Sequence, residues 1–395
     1  MEHLRVGIIG LGQRGFSMVS DVFPQIDMIR VTAVCDFYED RVKSAATSLE
    51  LAGFPRPFET TDYKQLLKKD LIDCVVVTTS WKYHTEVVTC CMERGIPVGS
   101  EVGGAYTLDE CWQLVKTYEK TKTPYMFLEN CNYGRKELMV LNMVQQGALG
   151  QIVHCSGCYA HDLREEITTG VENRHYRLEE YLTRNCENYP SHELGPIMQI
   201  LDINRTNRLV TLCSVSSKAV GLHEYCINNK SDNEALCQAQ FAQGDIVTTI
   251  LTCQGGETIT LTLDTTLPRY YSRGFTVRGT RGMYTECNNS VFLDGEHNHH
   301  EFVWKKHWDN AEEYAKPYEH PLWQAITPEE RAAGHGGMDY LCYRDFFDRV
   351  RTGKPMPIDI YDAATIMSIT PLSAQSIAAG GQPVEIPDFK RNANK

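Results

Sequence analysis

A chain of 395 residues is long enough for two domains that each bury a core. With 42% hydrophobic and 23% charged residues it is not a largely disordered chain. Its net charge of −12 argues against binding a phosphate backbone. No apolar run reaches membrane-spanning length, so neither a nucleic acid nor a membrane is the expected partner. The fifteen cysteines are scattered, several inside apolar runs, as at Cys35 and Cys74. They read as reduced, buried small hydrophobes. Met1-Glu2-His3 leads directly into an apolar strand with no signal-peptide pattern. Both features predict a cytoplasmic protein.

In chain order, strands are predicted at Leu4 to Ile9, Arg30 to Cys35, Asp73 to Thr79, Pro97 to Ser100 and Tyr125 to Leu128. Helical patterns fall between them, at Asp40 to Leu51, Thr85 to Arg94 and Leu108 to Tyr118. This alternation means βαβ units and a parallel sheet. The first strand runs into Gly10-Leu11-Gly12-Gln13-Arg14-Gly15, a G-x-G-x-x-G between a strand and a helix. Gly10 permits the tight turn, Gly12 lets a pyrophosphate approach the backbone, and Gly15 lets helix and strand pack closely. The helix start, at Gln13 and Arg14, then offers N–H groups to phosphates. Asp36 closes the second strand about 20 residues after the motif, where a carboxylate binds the adenine ribose hydroxyls. The same carboxylate repels a 2′-phosphate, so NAD is expected over NADP, and Arg41 lies several residues further on. Thr78, Thr79 and Ser80 end another strand at the ligand crevice. His84 opens the next helix, either as a cofactor contact or as helix-terminal packing.

Beyond Gly150 the strands alternate and turn as hairpins. Candidates are Gln151 to Tyr159, Thr211 to Val220, Ala235 to Phe241, Ile246 to Thr252, Thr258 to Asp264, Gly274 to Gly279 and Gly282 to Thr285. Helical stretches at Ser191 to Ile203 and Tyr340 to Thr352 are expected on one face of that sheet. The predicted fold is α/β: an N-terminal Rossmann parallel sheet, then an α+β domain built on an open, mostly antiparallel sheet. The division is set at residues 1–130 for NAD binding and 131–395 for substrate binding.

The fingerprint, the Gly150-Gln151-Ile152-Val153 strand start and the antiparallel second half resemble the Gfo/Idh/MocA oxidoreductases. A narrower resemblance, to glycoside hydrolase family 109, rests on Glu129-Asn130-Cys131, Tyr159-Ala160-His161-Asp162, Asn188-Tyr189-Pro190-Ser191-His192-Glu193-Leu194-Gly195-Pro196, Pro268-Arg269-Tyr270-Tyr271-Ser272-Arg273-Gly274 and Gly334-His335-Gly336-Gly337. That family is the NAD-dependent α-N-acetylgalactosaminidase-like branch. The wider family's dehydrogenases carry Glu-Lys-Pro where this chain has Glu101-Val102-Gly103, and Asp-x-x-x-His where it has Asn188-x-x-x-His192. Residues i and i+4 share a helical face, so Asn188 and His192 are expected to address one substrate. Two positions depart from the family run: Ser191 stands for threonine and Glu193 for glycine.

The resemblance implies sugar contacts at Glu129, Tyr159, Arg177, Tyr189, His192 and Tyr271, with Arg174, Arg184 and Tyr270 as fallbacks. His335 either touches substrate or fills a turn, and Glu101 joins the cofactor set. It implies a redox-neutral glycosidase using tightly bound, recycled NAD. The cycle is transient oxidation at C3, deprotonation at C2, loss of the anomeric substituent, addition of water and re-reduction. His192 is assigned to the C3 hydroxyl proton, and Tyr159 to C2, with Tyr271 or Glu129 as rivals. The substrate class is a small glycoside or sugar, and the open sheet suggests a homo-oligomer. The alternatives are an NAD-dependent sugar or polyol oxidoreductase and a non-catalytic NAD or sugar sensor. No metal is expected. Strand alternation sends Cys155 and Cys158 to opposite faces, and His297-Asn298-His299-His300 reads as a solvated hairpin. The polar and aromatic stretch 305–319 reads as an insertion.

Overall fold

A computed structural model describes residues 3–391. Contacts divide the chain into two compact units: Met1–Tyr133 with Ala325–Met367 and Phe389–Lys395, and Gly134–Gln324 with Ser368–Asp388. The chain passes from one to the other within the helix Ile360–Ala378.

The first unit holds a parallel sheet of β1 (Leu4–Ile9), β2 (Ile29–Cys35), β3 (Phe58–Thr60), β4 (Cys74–Val77), β5 (Val98–Ser100) and β6 (Tyr125–Phe127). Their order is β3-β2-β1-β4-β5-β6, with every pairing parallel. This is the doubly wound arrangement, whose strand order reverses between β1 and β4 and leaves a crevice at their carboxyl ends. β4 is buried at every position, as a strand covered on both faces must be. The helix Leu108–Thr121 starts with a reciprocal cap: Glu110 N–H donates to Thr107 Oγ1 at 3.2 Å, and Thr107 N–H donates to Glu110 Oε2 at 2.9 Å. β3 is too short to declare itself in the sequence pattern.

The late helix Met338–Thr352 belongs to this unit and not, as the sequence suggested, to the face of the second sheet. Its apolar side decides the matter. Tyr343 and Phe347 pack edge-on against Phe23 at 5.3 and 5.7 Å. A Cβ on Gly99 of β5 would lie 3.1 Å from Phe346.

The second unit is a mixed sheet of β7 (Ile152–Ala160), β8 (Leu209–Ser216), β9 (Ile246–Cys253), β10 (Thr258–Asp264), β11 (Thr276–Gly279), β12 (Gly282–Thr285), β13 (Ser290–Leu293) and β14 (Val384–Glu385). They run in the order β13-β12-β11-β7-β10-β9-β8-β14. Only the β7–β10 pairing is parallel. Strand periodicity sorts the faces: Val247, Thr249, Leu251, Ile259, Leu261 and Leu263 are buried, while Ile250, Thr252 and their neighbours lie on the open side. The helix Ser191–Ile200 packs on β7. Gly157 permits the approach, because a Cβ there would lie 2.9 Å from the backbone oxygen of Glu193.

One predicted strand is overturned. Most of Ala235 to Phe241 is taken up by the helix Glu234–Gln238, capped by Asn233, whose side chain accepts the Leu236 N–H at 3.1 Å. The cysteines carry free thiols. Cys155 is buried and Cys158 half-buried, as their strand parity requires. His297 is not the solvated side chain expected of it. It packs among Phe292, Trp304 and Tyr314, and its Nδ1 accepts the Leu293 N–H at 2.9 Å. No helix among the described residues is long and apolar enough to cross a membrane.

Candidate functional site

In the first unit the glycine motif lies at the strand-order reversal. Gly10 has φ +99°, and a Cβ there would sit 2.5 Å from the Thr78 backbone. A Cβ at Gly15 would sit 2.0 Å from the Gly10 oxygen. Neither position admits a side chain. At Gly12 the nearest atom to an added Cβ is Arg41 Nη1, at 3.5 Å, so the backbone is open there. Gln13 is exposed at the start of the helix Gln13–Ser17. Asp36 accepts the Leu11 N–H at 2.6 Å and the Tyr38 N–H at 2.9 Å, one on each oxygen, which leaves a lone pair on each. Arg41 stacks on Tyr38 and reaches to 3.9 Å from Asp36, closer than its sequence separation suggested. An open backbone at Gly12 and an oriented carboxylate at Asp36 fit a dinucleotide.

Thr78 donates to the Gly10 carbonyl, tying the two crevice loops together. His84 is buried, with Nδ1 against Thr79 Oγ1 (3.3 Å) and the Ser80 carbonyl (3.1 Å); its Nε2 has no partner. Burial holds this imidazole neutral. Val102 is buried, and Gly103 and Gly104 lie against Trp81 and His84.

Arg14 and Glu101 are engaged with protein partners. The guanidinium donates to Glu101 Oε1 at 2.8 Å and to both Asp339 oxygens at 2.8 and 2.9 Å. Tyr343 donates to Glu101 Oε1 at 2.7 Å, and Asn130 to Asp339 Oδ1 at 2.7 Å. His335, with φ +41°, places Nδ1 2.7 Å from Asp339 Oδ2. Burial alone would raise the Asp339 pKa, but Arg14 holds it well below the usual carboxylate range. Glu129 is fully buried and accepts the Cys131 N–H at 2.9 Å.

The second unit gathers an aromatic and cationic cluster. Tyr159 ends β7, and Tyr189 and His192 flank the start of the helix Ser191–Ile200. The Tyr159 and Tyr189 rings stack at 4.2 Å with planes 19° apart. His192 stands edge-on to both, at 5.7 and 4.9 Å, with Nε2 3.4 Å from the Tyr189 hydroxyl. The Arg177 guanidinium lies 5.2 Å over Tyr189 and donates to Glu166 at 2.7 Å. Burial works against the Arg177 charge, yet the surrounding phenols and Glu166 hold it firmly protonated. Tyr271 sits edge-on to His161 at 5.2 Å, held in place by the paired backbone bonds between Ser272 and Ala160.

His161 is the residue that sequence reasoning did not assign. Its Nδ1 lies 3.4 Å from the Tyr159 hydroxyl, and burial lowers its pKa. The signal was present, since positions 159 and 161 share a strand face. Glu166 was likewise unassigned, and no local pattern marks it.

Of the sequence-based candidates, the second unit brings together Tyr159, Arg177, Tyr189, His192 and Tyr271. Arg184 is instead paired with Glu180 at 3.0 Å, and Tyr270 is 77% exposed beneath Arg269. Asn188 is not brought to the cluster. It precedes the helix, so the i, i+4 argument does not apply, and its amide donates to Gln243 at 3.2 Å. Glu129, His335 and the cofactor set Gly10, Gly12, Gln13, Arg14, Gly15, Asp36, Thr78, Thr79, His84 and Glu101 belong to the first unit.

The fold and the glycine crevice define an NAD-binding oxidoreductase architecture. Residues 4–128 match the model of an oxidoreductase family with an NAD-binding Rossmann fold. The chain is similar in fold to levoglucosan dehydrogenase in complex with NADH and L-sorbose, with a TM-score of 0.70, 16% identity, and coverage of 98% of this chain and 100% of that one. Scyllo-inositol dehydrogenase from Lactobacillus casei, with NAD(H) and scyllo-inositol bound, gives a TM-score of 0.68 at 11% identity, covering 98% and 99%. Residues 133–395 match the C-terminal domain of glycosyl hydrolase 109. A glycosyl hydrolase family 109 protein of Stenotrophomonas maltophilia (strain K279a) is 38% identical over 99% of this chain and 90% of its own length. An alpha-N-acetylgalactosaminidase of Tannerella forsythia is 34% identical over 98% and 86%. The chain belongs to glycoside hydrolase family 109, and is an NAD-dependent glycosidase.

Proposed function

We propose that the enzyme cleaves a small glycoside, with an α-N-acetylgalactosaminide as the first candidate, in a redox-neutral cycle that keeps its cofactor. The observation that carries this reading is the Tyr159–Tyr189 stack with a histidine at each hydroxyl. NAD, when bound, supplies reversible hydride acceptance at C3, and a carbonyl there makes C2–H acidic.

The residues divide the proton work. His192 takes the C3 hydroxyl proton. Tyr159 serves C2, but burial holds its phenol strongly protonated, with Arg177 opposing that effect. A protonated phenol is a poor base. His161, kept neutral by burial, lies where it can accept the Tyr159 proton as the phenol takes one from C2. Arg177 and Tyr271 bind hydroxyls, and the tyrosine faces exclude water from the ring. Asp36 selects NAD, and Gly10, Gly12 and Gly15 shape its cradle. Glu129 and His335 are assigned to substrate binding by the family pattern. The scattered thiols fit a cytoplasmic location, the net negative charge argues against a nucleic-acid partner, and the open face of the second sheet suits packing against a second copy of the chain.

The test follows aglycone release and NADH absorbance together on α- and β-nitrophenyl glycosides, including N-acetylgalactosaminides, before and after cofactor stripping. Release that requires NAD without NADH accumulating supports the reading. NADH accumulation without release replaces it with a net dehydrogenase.

A further inference from the structure

Behind the stacked tyrosines lie two acids that the reaction does not use. Glu187 and Glu193 are 0% and 1% exposed. Glu193 Oε2 accepts the Thr262 N–H at 3.2 Å, while Glu193 Oε1 and both Glu187 oxygens are buried without a well-formed hydrogen bond. The two carboxyl groups interact directly; burial pushes both pKa values up, and at Glu193 the charge of Glu187 adds to that. Two ionised carboxylates cannot share a dry site, because each lacks solvation and repels the other. One proton held between them removes the repulsion and supplies the missing donor.

The pair is joined to the site at both ends. The backbone N–H of Tyr189 lies close enough to Glu187 to oppose its upward shift, and that of Tyr159 does the same at Glu193. Glu187 N–H donates to Ser373 Oγ at 2.8 Å, which anchors the segment to the helix Ile360–Ala378. The titratable side chains that feel the pair are Cys186 from its own segment and Cys158 from β7, while Tyr159 and Tyr189 turn backbone N–H groups toward it. β10 contributes the Thr262 amide, and no cation among the described residues is a cause of the Glu187 shift.

We propose that Glu187 and Glu193 share one proton and that this acid pair is a positioning device for the Tyr159–Tyr189 stack, which loosens when the proton leaves. The folded chain then holds a proton that the unfolded chain has released. Stability falls as pH rises from the ordinary carboxylate range toward the raised folded value. The shared proton stands apart from the reaction, whereas the effect on turnover rests on the glycosidase reading.

The test uses the holoenzyme. Infrared titration of the wild type is expected to show a buried protonated carboxyl that vanishes at alkaline pH and is absent from Glu187→Gln/Glu193→Gln. Near-ultraviolet circular dichroism of the tyrosines should change over the same pH range in the wild type, and not in the double variant. Glu193→Gln can accept from Thr262 and donate to Glu187, so it should keep kcat within about threefold at neutral pH and flatten its alkaline decline. Glu193→Leu, which removes the bridge, should lower kcat about tenfold or more with a smaller change in KM. Absence of the carboxyl band, or an alkaline decline unchanged in Glu193→Gln, overturns the proposal. If no glycoside is turned over, the infrared and dichroism titrations still decide it, so its failure and that of the glycosidase reading remain distinguishable.

Discussion

In the first unit, one continuous run from Gly10 to Gly15 shapes the nucleotide cradle, and Asp36 and Thr78 complete it from neighbouring strands. In the second unit no run supplies the site. Tyr159 and His161 come from the end of β7, Arg177 from a short helix, Tyr189 and His192 from a helix start, and Tyr271 from a loop bridged to Ala160. The cradle is backbone chemistry, dictated by where a Cβ is forbidden. The cluster is side-chain chemistry, dictated by how four segments meet. Damage to the first should act through cofactor affinity and stability, and damage to the second through turnover.

The largest expected effect breaks the cluster alone. Replacing His192 with Ala should lower kcat by about 100- to 10,000-fold, while NAD content and melting temperature stay near the parent's. Stopped assays on the active nitrophenyl glycoside, with cofactor quantified after denaturation, check this. A loss of NAD together with activity would merge the two regions and refute the division.

Next comes the ion network behind the cradle. Asp339→Asn leaves the half-buried Arg14 guanidinium with Glu101 as its remaining carboxylate, and should cost about 1–3 kcal/mol of stability at neutral pH. The sign with pH follows from the depressed Asp339 pKa. Its stabilisation is complete above the ordinary carboxylate range and is lost as pH falls below it. Urea unfolding of both proteins at several acid pH values should show the gap closing as pH falls; a constant gap would show that the carboxylate's charge is not responsible.

Gly157→Ala sharpens the comparison, because it alters the cluster through backbone packing. The added methyl meets Glu193 at 2.9 Å, so the helix bearing His192 must shift. We expect a loss of about 1–3 kcal/mol, and a kcat that falls while NAD affinity holds. Calorimetric NAD titration beside steady-state kinetics separates the two. The smallest effect is expected at Arg41, whose 3.9 Å approach to Asp36 is partly solvated. Arg41→Ala should change the Kd for NAD by only a few-fold, within about 1 kcal/mol. A larger loss confined to NADP would instead assign Arg41 to a 2′-phosphate.

Local periodicity and glycine placement by themselves determined the parallel unit, its motif, Asp36, and most strands of the second sheet. These features depend on neighbours in the chain: a strand needs alternation, a helix needs a cap, and a phosphate loop needs glycines at fixed spacing. The family pattern added Tyr159, Tyr189 and His192, which periodicity alone does not single out among 20 tyrosines and 13 histidines. Tertiary structure alone decided the rest. It put the helix Met338–Thr352 with the first unit, because Phe23 and Gly99 receive its aromatic face. It turned Asn188 toward Gln243, engaged Arg14 and Glu101 with Asp339 and Tyr343, and placed Glu187 against Glu193. The Asn188, Arg14 and Glu101 contacts each depend on a desolvated polar group finding its partner across a long sequence separation. The local chain carries no record of that pairing, because the partner is chosen only when packing excludes water from both.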